Sequence, residues 1–155
     1  MKQTTGGRGM YTQQSMVTNT KDLEICNRVF VYGSLKKGSY NNSILGDSEL
    51  LETTRTVSGF CLGDVGFPYA FPSDVTPEKY KKLLYPVWGE VYDIDNEYTF
   101  YSLDCLEGYP SHYNRRLINL QSGIRTWMYV QEDWSNAARC DACKLKEGAW
   151  LWDGK

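Results

Sequence analysis

Phe100, Leu103 and Glu107 are spaced three and four apart in NEYTFYSLDCLE, residues 96–107, which lines them up along one face of a helix. A carboxylate is thereby set on a stripe that faces a core. Burial disfavours its charged form, and the negative end of the helix macrodipole does so again, so the pKa of Glu107 is expected above the ~4.3 of a free glutamate. A carboxyl group lifted toward neutrality can take up and return a proton near neutral pH, as a general base or acid must. The competing arrangement pairs Glu107 with Arg115 or Arg116, or turns it to solvent by a small rotation of the helix. Asp104, one turn earlier, can cap a neighbouring loop or share the site, and the structural role is favoured.

The second stretch with chemical potential is RVFVYGSL, residues 28–35. Its β-branched and aromatic run breaks at Gly33 and passes into a polar, turn-rich segment, the pattern of a buried strand ending in a tight loop. Glycine lets a backbone approach a ligand closely, and successive N–H groups at such a corner can form a nest for an anion. Tyr32, Gly33, Ser34 and Leu35 are therefore expected to line a ligand site. The corner Gly66, Phe67, Pro68, Tyr69 is a second candidate wall and is not expected to continue as a central strand, because proline donates no ladder hydrogen bond.

Other constellations carry less. His112 is the one histidine, so a Ser-His-Asp triad would rest entirely on it, and a loop imidazole after a helix is expected to be exposed. Cys140-x-x-Cys143 has the spacing of half a zinc site or of a redox pair, but no second pair follows it. The glycine-rich phosphate-binding patterns are absent. No metal and no cofactor is assigned.

The elements must position these groups within 155 residues, enough for one compact domain and short for two. Met1 to about Asp22 is rich in Thr, Gln, Gly and Ser and lacks apolar periodicity, so residues 1–24 are expected to be a disordered tail or extension and 25–155 a single domain. A net charge of -2 without blocks of like charge predicts neither a nucleic-acid nor a membrane partner. No apolar run spans a bilayer, and five cysteines in a chain of this size do not form a secreted disulfide framework, so a cytoplasmic location is expected. Twelve tyrosines and five tryptophans suit a β-rich core.

In chain order, Lys36 to Asp47 reads as a loop with one short, side-chain-capped helical turn, Glu49 to Phe60 as a strand, and Cys61 to Val65 as a shorter one. Thr76 is a candidate N-cap for a turn near Pro77. Pro86 to Ile94 alternates as a strand, and Asn96 to Glu107 is the strongest helix, stopped by Gly108 and Pro110. Tyr113 to Leu120 and Ile124 to Gln131 form a hairpin about Gln121–Gly123. The close AWLW, residues 149–152, is expected to dock on the body.

VFVYGSL, GFPYAF, VWGEVYDI and LDCLEGYPSHYNR, in this order over roughly Arg28 to Val130, resemble the gamma-glutamylcyclotransferase-like proteins, including the gamma-glutamylamine cyclotransferases and the AIG2-like group. The resemblance implies an α+β fold around a small, mixed, barrel-like sheet with few short helices and the YGSL loop lining a cavity. It also implies an enzyme acting on a small gamma-glutamyl substrate. In that reaction the substrate's own α-amine attacks its γ-carbonyl, releasing 5-oxoproline and an amine or amino acid. The family's catalytic glutamate falls on Glu107, and Tyr113 and Tyr129 are candidates for orienting the substrate. The long tail, the Cys140–Cys143 segment and the aromatic C-terminus do not map onto the family pattern. The alternative on the same fold is a non-catalytic ligand-binding or interaction module. Neither the leaving group nor the oligomeric state is legible.

Overall fold

The computed structural model describes residues 2–3, 6–7 and 20–154; most of the expected tail lies outside the described residues. Of the tail, residues 2–3 and 6–7 pair as a two-stranded antiparallel ladder, and residues 20–24 lie in a helical segment over 20–25. Leu23 there packs on the core, and Asp22 reaches Arg115 with Nη1 to Oδ2 at 2.7 Å.

Strand β1 (Arg28–Val31) is the middle of a five-stranded mixed sheet. It lies between β5 (Trp88–Asp93), which runs antiparallel to it, and β7 (Arg125–Val130), which runs parallel. β2 (Glu49–Arg55) flanks β5 and β6 (Asn114–Asn119) flanks β7, giving the order β2-β5-β1-β7-β6. The unbroken apolar run of β1 follows from its place, since both faces of the sheet are covered. Val29 and Val31 pack on one face with Phe100 and Leu103, whereas Phe30 and Tyr32 pack on the other with Phe60, Leu62, Trp150 and Trp152.

β3 (Phe60–Asp64) and β4 (Pro68–Pro72) form an antiparallel hairpin, to which β8 (Asp141–Ala142) adds a third strand. The expected corner is therefore shorter than its sequence suggests: Pro68 opens a strand. That strand is an edge, and proline occupies its first position, where no ladder donor is required. β9 (Lys144–Lys146) and β10 (Ala149–Leu151) close the chain, and Trp150 docks as expected, its Nε1 donating to Phe60 O at 2.8 Å.

The large sheet curls without closing. Its two edges meet at the Thr56–Leu120 bridge, beside Val57 N–H to Asn119 O at 3.0 Å and Gln121 N–H to Arg55 O at 2.9 Å. The barrel likeness thus amounts to one point of contact between edge strands.

Helix α1 (Glu97–Glu107) begins where Asn96 Oδ1 accepts from Thr99 N–H and ends at Gly108, whose φ of 66° is left-handed. Glycine reaches that conformation without the Cβ clash other residues suffer, so the stop beside Glu107 is written in the sequence. The turn at Asn42–Leu45 lacks the expected side-chain cap, because Asn41 at its N-cap sends its side chain to Ser34 Oγ at 2.9 Å, and Thr76 donates to Pro72 O instead of capping the turn near Pro77.

Candidate functional site

The parallel pairing of β1 with β7 decides which groups meet. Val29 stands opposite Trp127 and Phe30 opposite Met128, so the loop after β1 and Tyr129 near the end of β7 emerge at the same end of the sheet. Tyr32 Oη ties the two together by donating to Tyr129 O at 2.7 Å. Helix α1 delivers Glu107 to the same place. The result is a cavity of about 240 Å³ lined by all seven residues singled out from sequence: Tyr32, Gly33, Ser34, Leu35, Glu107, Tyr113 and Tyr129. A larger cavity, about 480 Å³ around Cys61, Phe71, Leu83, Trp134 and Cys140, receives none of them.

Gly33 is required by what lies over it. A Cβ there would fall 2.7 Å from Cγ and 2.8 Å from Cδ of Pro68, so the β3–β4 hairpin can close over the loop only because residue 33 has no side chain. Within the loop Lys36 N–H turns back to Gly33 O at 3.0 Å and Asn41 N–H reaches Ser34 O at 3.0 Å. No acceptor among the described residues meets the N–H groups of Gly33, Ser34 and Leu35. Donors left in this way suit an anion.

The carboxylate opposite has no partner among the described residues. Arg115 is committed to Asp104, with Nε to Oδ1 and Nη2 to Oδ2 both at 3.0 Å, and to Asp22. Arg116 bridges Asp74 and Glu132. Both competitors for Glu107 are thus occupied, and its pKa is pushed up to about 7, first by burial and then by the charge of Asp104. The sequence set Asp104 one turn before Glu107; its full burial was what no local pattern showed. Asp104 is fully buried, gripped by Arg115 and by the donated hydroxyl of Tyr129. The Arg115 guanidinium is itself packed between Phe100, Tyr109 and Trp127, its Cζ 4.1 to 4.7 Å from their ring centroids.

The three tyrosine hydroxyls are fixed donors. Tyr113 Oη gives its hydrogen to Pro68 O at 2.7 Å, Tyr32 to Tyr129 O, and Tyr129 to Asp104. Burial first, and neighbouring negative charge after it, holds the pKa of Tyr32 and Tyr129 well above the ordinary value, so both stay protonated. With the hydrogens committed, Tyr113 and Tyr129 keep oxygen lone pairs for a ligand, whereas the Tyr32 oxygen also faces the backbone N–H of Ala70.

Sequence reasoning missed Tyr40, Asn41, Leu106 and His112 as cavity residues. His112 is exposed as expected, yet it stands at the rim, with Nε2 2.9 Å from Tyr69 Oη. Its place next to Tyr113 was the available signal. All five cysteines are free, and burial raises the thiol pKa of Cys140 and, to about 12, of Cys143.

A small α+β fold in which loop N–H groups and a carboxyl group of near-neutral pKa, both without partners among the described residues, border one cavity has the parts that small-molecule binding and proton transfer require. The family model described as "Gamma-glutamyl cyclotransferase, AIG2-like" matches residues 29–151. The chain belongs to that family. It is 37% identical over 106 residues to a Methanocaldococcus jannaschii protein provisionally named a gamma-glutamylcyclotransferase, covering 65% of this chain and 81% of that one. It is 35% identical over 126 residues to the gamma-glutamylcyclotransferase family protein YtfP of Escherichia coli, covering 80% and 96%. Its fold matches a crystal structure of an AIG2-like protein from Mus musculus with a TM-score of 0.60 over 83% of this chain and 96% of the other, at 21% identity.

Proposed function

We propose that this protein is a cyclotransferase that converts the gamma-glutamyl group of a small substrate into 5-oxoproline and releases an amine or amino acid, with residues from about 25 onward acting as one catalytic unit. The observation that carries the reading is that the Glu107 carboxylate, without a partner among the described residues, lines the same cavity as the Tyr32–Leu35 loop.

The substrate brings both nucleophile and electrophile, and closing a five-membered ring supplies their proximity. What it lacks at neutral pH is a free amine. The N–H groups of Gly33, Ser34 and Leu35 hold its α-carboxylate, while the lone pairs of Tyr113 and Tyr129 receive the α-ammonium. Glu107 takes one ammonium proton; the freed nitrogen attacks the γ-carbonyl carbon, forming the ring N–C bond and a tetrahedral oxyanion. Glu107 gives that proton to the leaving nitrogen as its bond to carbon breaks, and the second proton of the former ammonium, now on the ring nitrogen, passes through Glu107 to the released amine, which departs as an ammonium ion and leaves the neutral lactam. No water is consumed and no cofactor takes part. The free cysteines suit a reducing compartment, which supports a cytoplasmic reaction in this reading.

The test is release of 5-oxoproline from a panel of gamma-glutamyl compounds. Glu107→Gln is expected to lower turnover by at least roughly a hundredfold, the low end for a lost acid–base group, while a gamma-glutamyl ligand still raises its Tm. Turnover at the wild-type rate in that variant would remove Glu107 from the mechanism. Ligand-dependent stabilisation with no 5-oxoproline from any substrate would leave a binding module.

A further inference from the structure

The cyclisation uses nothing beyond the glutamyl end of its substrate, yet the mouth of the cavity is built from apolar side chains. Of the eight large hydrophobic residues that stay exposed among the described residues, three border this one cavity: Tyr40 at 68%, Leu106 at 40% and Phe67 at 37% exposure. Apolar groups held in water around a recess mark contact with an apolar partner. Phe67 is also held in place. Its ring meets Tyr69 edge-on with centroids 5.6 Å apart and His112 at 6.4 Å, and His112 in turn lies 4.9 Å from Tyr113. One wall of the mouth is therefore a fixed aromatic cluster.

Charge is arranged to match. No lysine or arginine lines the cavity. Arg139, which reaches Tyr69 Oη at 3.4 Å, is tied to Asn136 Oδ1 at 3.0 Å. Lys36, next to the loop, spends its Nζ on Trp152 O, and Nε2 of His112 is taken up by Tyr69 Oη. A leaving group bearing its own carboxylate would have to desolvate it against aromatic and aliphatic walls without a cation.

Resting on the cyclotransferase reading, we propose that the leaving group is an apolar, carboxylate-free amine, best an arylalkylamine whose ring packs between Phe67, Tyr40 and Leu106. Gamma-glutamyl α-amino acids and the gamma-glutamyl-ε-lysine isopeptide are then poor substrates.

Three matched probes separate the elements of this claim: gamma-glutamyl-phenethylamide, gamma-glutamyl-phenylalanine, which adds one carboxylate, and gamma-glutamyl-ethylamide, which lacks the ring. Binding is measured by calorimetry on Glu107→Gln, where chemistry does not intrude, and kcat/KM on the wild type. The phenethylamide is expected to bind roughly tenfold tighter than either of the others, the scale of discrimination in an apolar pocket. Leu106→Lys is expected to move the preference toward gamma-glutamyl-phenylalanine. Equal or tighter binding of gamma-glutamyl-phenylalanine, or ethylamide binding as tight as the phenethylamide, overturns the inference. If the binding order holds but the wild type forms no 5-oxoproline, the cyclisation reading falls and the pocket assignment stands. If 5-oxoproline forms with no preference among the three, the reverse is true, and if none binds, both fall.

Discussion

Replacing Glu107 by glutamine is expected to stabilise the protein, and to do so only at high pH. In the folded chain the carboxyl group keeps its proton up to about pH 7, against an ordinary value of 4.5. Between those two values the folded state binds more protons than the unfolded one, so the free energy of unfolding falls as pH rises through this window. A gap of about 2.5 in pH, at about 1.4 kcal/mol for each, amounts to roughly 3 kcal/mol once the window has been crossed. The cavity admits some water, which screens the penalty, so this is an upper figure. Glutamine keeps the shape of the side chain and carries no charge at any pH. Urea denaturation of wild type and Glu107→Gln is therefore expected to give similar stabilities near pH 4.5 and a variant more stable by up to roughly 3 kcal/mol near pH 8. Other titrating groups are common to both proteins and cancel in the difference. Parallel pH–stability curves would refute the claim that folding holds this carboxyl away from solvent beside Asp104.

Three further outcomes follow from the same geometry. The kcat/KM of the wild type should rise with pH through about 7, because Glu107 must be ionised to accept a proton; Asp104→Asn removes a like charge and should shift that limb to lower pH, read from pH–rate profiles of the folded variant. Gly33→Ala drives a Cβ into the Pro68 ring and is expected to cost about 1 to 3 kcal/mol, with much of it recovered in the Gly33→Ala/Pro68→Ala double variant, as a double-mutant cycle would show. Arg115→Met strands the buried Asp104 carboxylate and should lose about 3 to 5 kcal/mol by denaturation, whereas Arg115→Met combined with Asp104→Leu should regain a large part of it.

Local chemistry was legible in the residues. Gly108 and Pro110 marked the end of α1, the period-2 pattern of Pro86 to Ile94 marked β5, and the continuous apolar run before Gly33 marked a strand buried on both faces. Where expectation and structure part, a tertiary partner had outbid a local one. Asn41 bonds Ser34 instead of the backbone of its own turn. The Pro68 corner, by contrast, stays out of any central strand as expected, since Pro68 opens an edge strand. Met1 to about Asp22 read as a tail, yet Asp22 is drawn onto Arg115 from more than ninety positions away.

The sequence by itself determined that Glu107 would end an amphipathic helix and that Tyr32–Leu35 would form a loop, because helix stops, glycine breaks and apolar periodicity act over a few residues. Only the tertiary structure decided that the two would face one cavity. That required β1 to pair in parallel with β7, Arg115 and Arg116 to be claimed by other carboxylates, and Asp104 to be buried close enough to raise the pKa of Glu107. These are contacts between distant segments, and their energies depend on burial and distance, which no local pattern encodes.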